Sequence, residues 1–334
     1  MAAAAHLSSR SRRELLTRWA LLVCAIPCAG YLAESEFKYE RCKVVAEIGC
    51  NHMGDLKLAK ELMKLAKDAG ATYAKFQKRC NKELLTEEQY NKPHPNPINS
   101  FGPTYGAHRE FLEFTVEQHR ELWNYGKEIG IEWATSVWDV TSAREMKEIP
   151  CDFLKVPSAC NNHFEMLKVL RDEFKGIVHV STGMTTKKEI EDVVTFFEET
   201  GQAKSRLVVY NCTSGYPVPF KDVCMLELCR LYDEYGNRVH QLAFSGHHLG
   251  IAVDVASYAL GAKWVERHFT KDRTMKGTDH SASLEPAGLG KLVRDLDATH
   301  AAFTFKQTEI LELEAEQRDK LKFRKTEKIN ACTE

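Results

Sequence analysis

The sequence predicts a closed (β/α)8 TIM barrel, an α/β fold in which eight parallel strands alternate with helices. From Lys43 onward, short runs rich in β-branched and aromatic residues alternate with amphipathic stretches at helical spacing. There are eight such runs in roughly 260 residues, which is the size of a barrel domain. Glycines stand where several of the intervening helices should stop. Together these observations favour repeated βα units around a parallel sheet.

Each candidate strand is a short apolar run bounded by polar or turn-forming residues. In chain order the strands are Val44 to Asn51, Tyr73 to Lys78, Glu132 to Trp138, Phe153 to Ser158, Ile177 to Thr182, Leu207 to Cys212, Leu242 to Gly246 and Trp264 to Phe269. A doubly wound open sheet is the alternative. No G-x-G-x-x-G follows the first strand, which counts against a dinucleotide-binding version of that sheet.

The intervening helices carry start and stop signals. Ser142 with Glu145, and Thr186 with Glu189, have the spacing of capping boxes. The clearest helices with a glycine stop are Leu56 to Ala69 before Gly70, Glu189 to Glu199 before Gly201, and Ile251 to Leu260 before Gly261.

Three segments fall outside this regular pattern. Arg79 to Phe114 contains four prolines, so it cannot be regular structure throughout, and its place after the second strand makes it a candidate lid. The tail from Glu309 is strongly charged and predicts a solvated helix or a linker. We therefore divide the chain into a leader at 1–36, a barrel at 37–308 and a tail at 309–334.

The leader combines four arginines with the apolar run from Trp19 to Ala29. This pattern resembles a signal peptide or anchor, and it equally fits a poorly ordered leader. The run is short and contains Pro27, which argues against a stable membrane span. The choice between targeting and a plain leader stays open.

Composition excludes some classes of function. The net charge is −1 and the signs are interspersed, so no nucleic-acid partner is expected. The eleven cysteines form no CxxC pair, which indicates reduced thiols and a cytoplasmic protein. The signal-like leader leaves an organellar or secretory destination open.

Polar residues stand near the carboxyl end of almost every predicted strand. In a barrel these ends open into one cavity, so residues distant in sequence converge there. The set is Glu47, Asn51, Lys75, Gln77, Thr135, Lys155, Ser158, Ser181, Asn211, Ser214, Ser245, His247, Glu266 and His268.

Two members of this set are lysines within strands. Lys75 and Lys155 must pair with carboxylates or meet an anion, because a buried unpaired ammonium is costly. With the nearby serines they supply the charge and the donors that a phosphate-carboxylate compound needs. Ion pairs with neighbouring glutamates are the alternative.

Two other members are histidines at the ends of neighbouring strands. Imidazole suits first-row transition metals, and two histidines leave coordination positions open for water and substrate. His247 and His268 are therefore candidate metal ligands. Glu266 shares a strand face with His268 and is a candidate substrate contact or support for that ligand. His248 should point away and is expected to be structural.

Seven segments carry a family resemblance. They are AEIGCNHMGDLKLAKELMKLAKDAGATYAKFQK, TYGAHREFLEF, FLKVPSA, STGM, CTSGYP, FSGHHLGIA and LGAKWVERHFTKDRTMKGTDHSASLEP. The chain resembles the N-acetylneuraminate (sialic acid) synthases, the animal-type enzymes in particular, across residues 44 to about 305.

The resemblance implies a condensation of phosphoenolpyruvate with N-acetylmannosamine or its 6-phosphate, giving N-acetylneuraminate or its 9-phosphate. The enol carbon would attack the open-chain aldehyde, water would add to the resulting cation, and phosphate would leave by C–O cleavage. The implied cofactor is a divalent metal, Mn²⁺ before Mg²⁺ or Co²⁺, on His247 and His268.

The implied residue roles divide by ligand. Glu47 would act near the reacting carbon, and Tyr216 and Asp279 near the sugar, with Ser214 where some relatives have Asn. The implied phosphoenolpyruvate contacts are Lys75, Thr135, Lys155, Ser158, Ser181 and Ser245.

The chain also departs from the family pattern. Family members usually continue into an antifreeze-like domain that covers the partner's site in a homodimer, whereas this sequence ends at Glu334, just after the linker-like Arg318 to Lys328. The expectation is a homodimer or a separate capping partner. A weakly active or inactive ligand-binding barrel, and a related synthase for another sugar, are the alternatives.

Overall fold

A computed structural model describes residues 39–323 and has the expected barrel. Eight parallel strands form one closed sheet in the order β1 to β8. They are β1 Lys43–Gly49, β2 Tyr73–Lys78, β3 Glu132–Val137, β4 Phe153–Val156, β5 Ile177–Ser181, β6 Leu207–Cys212, β7 Gln241–Gly246 and β8 Trp264–His268. The prediction of eight strands at these places is confirmed, with ends that differ by no more than two residues.

Helices surround the barrel and follow its strands. They are α1 Leu56–Asp68, α2 Asn81–Leu84, α3 Glu87–Asn91, α4 Tyr105–Leu112, α5 Val116–Ile129, α6 Val140–Met146, α7 Phe164–Asp172, α8 Lys187–Glu198, α9 Ala203–Arg206, α10 Leu226–Tyr235, α11 Ala252–Ala259, α12 Pro286–Ala302 and α13 Glu312–Leu321. Short 3-10 turns occur at Pro97–Asn99, Ser158–Cys160, Phe220–Asp222 and His280–Ala282.

The helix signals are correct in one case and wrong in another. Thr186 forms the expected capping box with Glu189 at the start of α8. Ser142 does not cap a helix, because Asp139 begins α6 and accepts the Ser142 backbone N–H at 2.7 Å. An aspartate three residues upstream therefore makes the contact that we assigned to Ser142.

The barrel has two apolar layers. The larger layer fills the space between the strands and the helices. The smaller one closes the barrel interior with Val45, Tyr73, Ala134, Phe153, Val208, Tyr210, Ala243 and Trp264. Because this inner layer fills the lower barrel, the polar side chains beyond it form the floor of a cavity at the carboxyl ends of the strands.

The segments outside the regular pattern have local structure. The candidate lid contains α2, α3 and α4, and the tail helix α13 buries no side chain. The predicted leader lies outside the described residues. Among residues 39–323, no helix is long and apolar enough to cross a membrane.

Candidate active site

Strand alternation decides which side chains reach the cavity above the inner layer. Residues two apart point the same way, so Lys75 follows Tyr73 inward and Glu266 follows Trp264. The cavity has a volume of about 390 Å³. Its lining is Glu47, Lys75, Gln77, Ser136, Trp138, Lys155, Pro157, Ser158, Ala159, Ser181, Met184, Cys212, Ser214, Gly215, Tyr216, Ser245, His247, Glu266 and His268.

Two lysines and two glutamates form a buried network on the cavity floor. Lys155 Nζ lies 2.6 Å from Glu266 Oε1, and Lys75 Nζ lies 3.6 Å from the same oxygen. Lys75 also pairs with Glu47 and donates to Ser136 Oγ at 2.7 Å. The ion pairs that the sequence left as the alternative are therefore present, and they keep the site close to neutral before a ligand binds.

Opposing effects set the charge states in this network. Burial raises the pKa of the Glu266 carboxyl, but the ammonium groups of Lys155 and Lys75 outweigh it and hold that pKa well below its ordinary range. Burial lowers the pKa of Lys155, and its pairing with Glu266 opposes that shift. Glu266 is therefore an anion at neutral pH.

Glu47 is held by a second contact. Its Oε1 accepts a hydrogen bond of 2.5 Å from Gln77 Nε2. A Cβ on Gly49, which has φ +52°, would lie 2.8 Å from that oxygen and 2.9 Å from the amide nitrogen. Glycine is required here for both its backbone conformation and its lack of a side chain.

Hydroxyl groups line the side of the cavity near β4, β5 and β7. Ser158 Oγ accepts the Gly183 backbone N–H at 2.9 Å. Ser181 Oγ is buried and has no hydrogen-bond partner within the described chain. A Cβ on Gly183 would lie 2.4 Å from Ser214 Oγ, so glycine allows this loop to approach the serines. An unsatisfied buried hydroxyl of this kind is suited to a polar ligand.

His247 and His268 meet at the ends of the neighbouring strands β7 and β8, as predicted from their strand ends. Their ring centroids lie 5.4 Å apart, and the Tyr216 ring lies 4.4 Å from His247 and 5.6 Å from His268. His247 Nδ1 lies 3.0 Å from the Thr213 carbonyl oxygen, to which it donates as Nδ1–H. His268 Nδ1 lies 3.7 Å from Asp279 Oδ2.

The two histidines fit an open metal site rather than a closed one. Donation from Nδ1 leaves the Nε2 lone pair of His247 free for a metal, and burial lowers its pKa to about 3, which keeps the ring neutral. Within residues 39–323, no group of three or more His, Cys, Asp and Glu side chains is placed to hold a metal. Any ion here would take further ligands from water or substrate.

A second cavity of about 460 Å³ shares Gln77, Trp138, Tyr216 and His268 with the first. The candidate lid contributes a wall, and Asp279 lies on the other side. The remaining lining residues are Arg79, Asn96, Asn99, Arg109, Thr278 and Ser281. Its position directly outside the first cavity makes it suited to a second substrate.

The two guanidinium groups in this outer cavity differ. Arg79 is buried and paired with Glu113 at 3.2 Å. Arg109 is half-buried, donates to the Tyr105 hydroxyl at 2.8 Å, and makes no ion pair with a carboxylate inside the described range. The charge of Arg109 acts on the Asp279 carboxyl in the same cavity without a direct ion pair, so its N–H donors can bind an anionic partner.

The structure brings together the predicted site residues in the first cavity with four exceptions, and two of these, Asn51 and Asn211, line neither cavity. Asp279 lies in the outer cavity, and Thr135 lines neither. Thr135 points to the helix layer, because the inward residues of β3 are Ala134 and Ser136. The expectation of a cavity contact from Thr135 is corrected to Ser136, which lies two residues after Ala134 on the same inward face of β3.

Other placements follow from hydrogen bonds. His248 lies away from both cavities, 3.2 Å from Arg267 Nη1, in keeping with a structural role. Asn51 is structural too, since it donates to the Phe269 carbonyl and to Ser283 Oγ at 2.9 Å each. Sequence reasoning missed the lining residues Trp138, Cys212, Arg79 and Arg109, and nothing in strand periodicity points to the two arginines.

Comparisons with known proteins cover most of the chain. The NeuB family model matches residues 62–308. The chain is 37% identical over 287 residues to the N-acetylneuraminate-9-phosphate synthase of Homo sapiens, covering 84% of this chain and 76% of the relative. It is 32% identical over 249 residues to the N,N'-diacetyllegionaminic acid synthase of Campylobacter jejuni, covering 75% and 73%.

A solved structure is similar in fold. The N-acetylneuraminic acid synthetase of Leptospira borgpetersenii, determined in complex with citrate, superposes with a TM-score of 0.70 at 27% identity. The match covers 86% of this chain and 94% of that one.

Proposed function

The chain belongs to the NeuB family, and from this premise we propose that it condenses phosphoenolpyruvate with an N-acylmannosamine-type sugar to form a sialic acid and phosphate. The observation that carries the proposal is the convergence of two lysines, five serines and two histidines in one cavity. Cationic and hydroxyl donors suit an anionic enol phosphate, and an open two-histidine site suits an oxygen-rich sugar.

The lysines bind the anion and stabilise charge that develops during the reaction. An ammonium has three N–H donors, so Lys155 retains donors for a ligand after pairing with Glu266. Ser136, Ser158 and Ser181 add hydroxyl donors around the phosphate. This fixed set of donors requires little reorganisation, which is how preorganised sites lower a barrier.

Glu47 is the general base of the proposed reaction. Its carboxylate is kept in place by Gln77 and Lys75, with one oxygen toward each. It is the residue that takes a proton from the water that adds to the cation derived from phosphoenolpyruvate. New C–C and C–O bonds form, and the bond between the enol carbon and the bridging phosphate oxygen breaks.

His247 and His268 are the residues proposed to hold a divalent metal, Mn²⁺ in the first instance. The neutral ring of His247 and its hydrogen bond to the Thr213 carbonyl oxygen support this role. A bound ion would supply Lewis-acid polarisation of the sugar aldehyde. Tyr216 and Asp279 then orient the sugar from the outer cavity.

A phosphorylated sugar is the favoured form of the second substrate. The supporting observation is Arg109, which faces the outer cavity beside the paired Arg79 and forms no direct ion pair with a carboxylate in the described range. The relatives named N-acetylneuraminate-9-phosphate synthases agree with this choice. N-acetylmannosamine 6-phosphate would place its phosphate near these guanidinium groups.

Two coarser features of the molecule bear on its setting. Large side chains that line the cavity are exposed, including Met184 at 72% and Tyr216 at 51%, which supports a homodimer or another capping partner over the site. The cysteines among residues 39–323 are free thiols, which supports a cytoplasmic location.

The test is release of phosphate from phosphoenolpyruvate in Mn²⁺ with a panel of N-acylmannosamines and their 6-phosphates, with and without chelator. We expect release only with sugar present, loss with chelator, and preference for the 6-phosphate. Arg109→Met should lower kcat/KM for the phosphorylated sugar by about tenfold and leave the free sugar unchanged. No release with any sugar of the panel would overturn the proposal.

A further inference from the structure

Two polar aromatic side chains lie below the cavity, where no role has been given to them. His179 on β5 and Tyr210 on β6 are completely buried inside the barrel. Barrel interiors of this kind are mostly filled by branched aliphatic residues. A buried phenol and a buried imidazole side by side each require a hydrogen-bond partner, so their presence calls for a physical reason.

The Tyr210 ring supports the ammonium group of Lys155 from below. Lys155 Nζ lies 4.3 Å from the ring centroid, on the face of the ring. The carboxylate of Glu266 holds the same nitrogen at 2.6 Å. A buried ammonium gains from the negative face of an aromatic ring, and this gain is larger away from water. Lys155 is thus held between a ring and a carboxylate.

His179 in turn holds Tyr210. A hydrogen bond of 2.9 Å joins His179 Nδ1 and the Tyr210 hydroxyl. The imidazole stacks on Phe153 at 3.9 Å with an interplanar angle of 5°, and the edge of Trp264 closes it at 4.6 Å. These contacts fix the imidazole plane, and the hydrogen bond passes that orientation to the phenol ring.

The charge states of the two rings keep this arrangement passive. Burial and the nearby Lys155 lower the pKa of His179 well below its ordinary value, so the imidazole is neutral. Burial raises the pKa of Tyr210 well above its ordinary value, so the phenol keeps its proton. The two side chains exchange no proton with a substrate and act through position.

We propose that Tyr210 and His179 are positioning residues that hold the Lys155 ammonium at the place where it binds phosphoenolpyruvate. The inference rests on the proposed function for the identity of the anion, although the geometry requires only an anion in the cavity. Without the ring, the ammonium is held by Glu266 alone and shifts toward that carboxylate. Affinity for the anion then falls while the proton transfer at Glu47 is unaffected.

The variants separate ring, hydroxyl and imidazole. Tyr210→Leu removes the ring and should raise KM for phosphoenolpyruvate about tenfold, with the KM for the sugar within about twofold of wild type. Tyr210→Phe keeps the ring and should raise the KM for phosphoenolpyruvate only about threefold. His179→Leu should raise the KM for phosphoenolpyruvate by the same factor as Tyr210→Phe. The double variant that combines Tyr210→Phe with His179→Leu should raise it no further, because both changes remove the same hydrogen bond.

The control is Tyr73→Leu, which makes the same change in the same inner layer. The Tyr73 hydroxyl donates to Asp152 at 2.7 Å, and its ring lies against Phe153 and Trp264 rather than Lys155. We expect this variant to lower Tm without changing KM for phosphoenolpyruvate. It separates a packing defect from a loss of anion positioning.

Binding of phosphoenolpyruvate alone, measured by calorimetry, keeps the inference separate from the proposed function. A wild-type protein that binds the anion but condenses nothing would refute the function and leave this test valid. Equal affinity in folded Tyr210→Leu and Tyr73→Leu would overturn the positioning role. If Tyr210→Leu does not fold, additive losses in Tyr210→Phe and His179→Leu would overturn it instead.

Discussion

Ser136 and Thr135 are neighbours on β3, but Ser136 faces the cavity and Thr135 faces the helix layer. Ser136 Oγ accepts a hydrogen bond of 2.7 Å from the Lys75 ammonium inside the cavity. Thr135 is buried on the opposite face of the strand, toward the helices. A period of two residues along a strand forces this alternation. One residue of error in assigning a strand face therefore exchanges a candidate ligand contact for a packing residue.

The two substitutions Ser136→Ala and Thr135→Val test this assignment. We expect Ser136→Ala to raise KM for phosphoenolpyruvate about tenfold, because it removes a hydroxyl beside the Lys75 ammonium. Thr135→Val keeps the shape of its side chain and should leave KM unchanged. Steady-state kinetics of both variants decide it, and the reverse pattern would return Thr135 to the site.

The residue-level expectations succeeded where one side chain has one strong chemical preference. His247, His268 and the two lysines follow from strand ends and from the cost of burying charge. Arg79 and Arg109 could not be predicted, because the fold of an irregular segment decides where they point. Their place in the outer cavity depends on α4 and on the pairing of Arg79 with Glu113.

Helix starts show how element boundaries depend on side chains that compete for the same backbone donors. At α8, Thr186 and Glu189 cap each other as the sequence predicts. At α6, Asp139 accepts the Ser142 N–H and Oγ, and also accepts the Cys80 N–H at 2.7 Å. This last contact joins the helix to the lid segment, and no local pattern could reveal it.

Removing each cap should have a different effect on stability. Thr186→Ala exposes one helix-start donor to water and should lower the free energy of unfolding by about 1 kcal/mol. Asp139→Ala leaves buried donors unpaired, including the Cys80 N–H, and should cost about 2 to 3 kcal/mol. Urea unfolding measures both, and an equal loss would refute the linking role of Asp139.

Eight strands were predictable because each strand of a parallel barrel is buried on both faces and is therefore apolar along its length. Their ends were less certain, since the last residues turn out of the sheet toward the cavity. Val156 ends β4 in the structure, whereas the predicted strand continued to Ser158, which begins a 3-10 turn at the cavity. The chemistry thus begins where the regular pattern stops.

Several histidine side chains of the molecule are buried, and burial lowers their pKa. His119 is a residue of α5 and its side chain is completely buried. Neither of its ring nitrogens is hydrogen-bonded within residues 39–323. Burial lowers its pKa to about 3, and that of His52 to about 3. Unfolded histidine has a pKa of about 6.5. Below pH 6.5 these histidines bind protons in the unfolded chain but stay neutral in the folded chain.

Stability should therefore fall as the pH falls from about 6.5 toward 3, and each such histidine adds about 1.4 kcal/mol per pH unit to the slope. His119→Phe keeps the aromatic contacts with Phe114 and Trp133 and removes the titrating group. Its free energy of unfolding should fall less steeply between pH 6 and 4, by that amount. A slope equal to that of wild type would contradict the assignment.

The most direct test of the account follows the bridging oxygen of phosphoenolpyruvate labelled with ¹⁸O, in a reaction with N-acetylmannosamine 6-phosphate and Mn²⁺. Condensation with C–O cleavage predicts one sialic acid phosphate formed for each phosphate released, with the label in the released phosphate. Mass spectrometry reads both products. Label retained in the sugar acid, or released phosphate without a nine-carbon product, would contradict the proposed reaction.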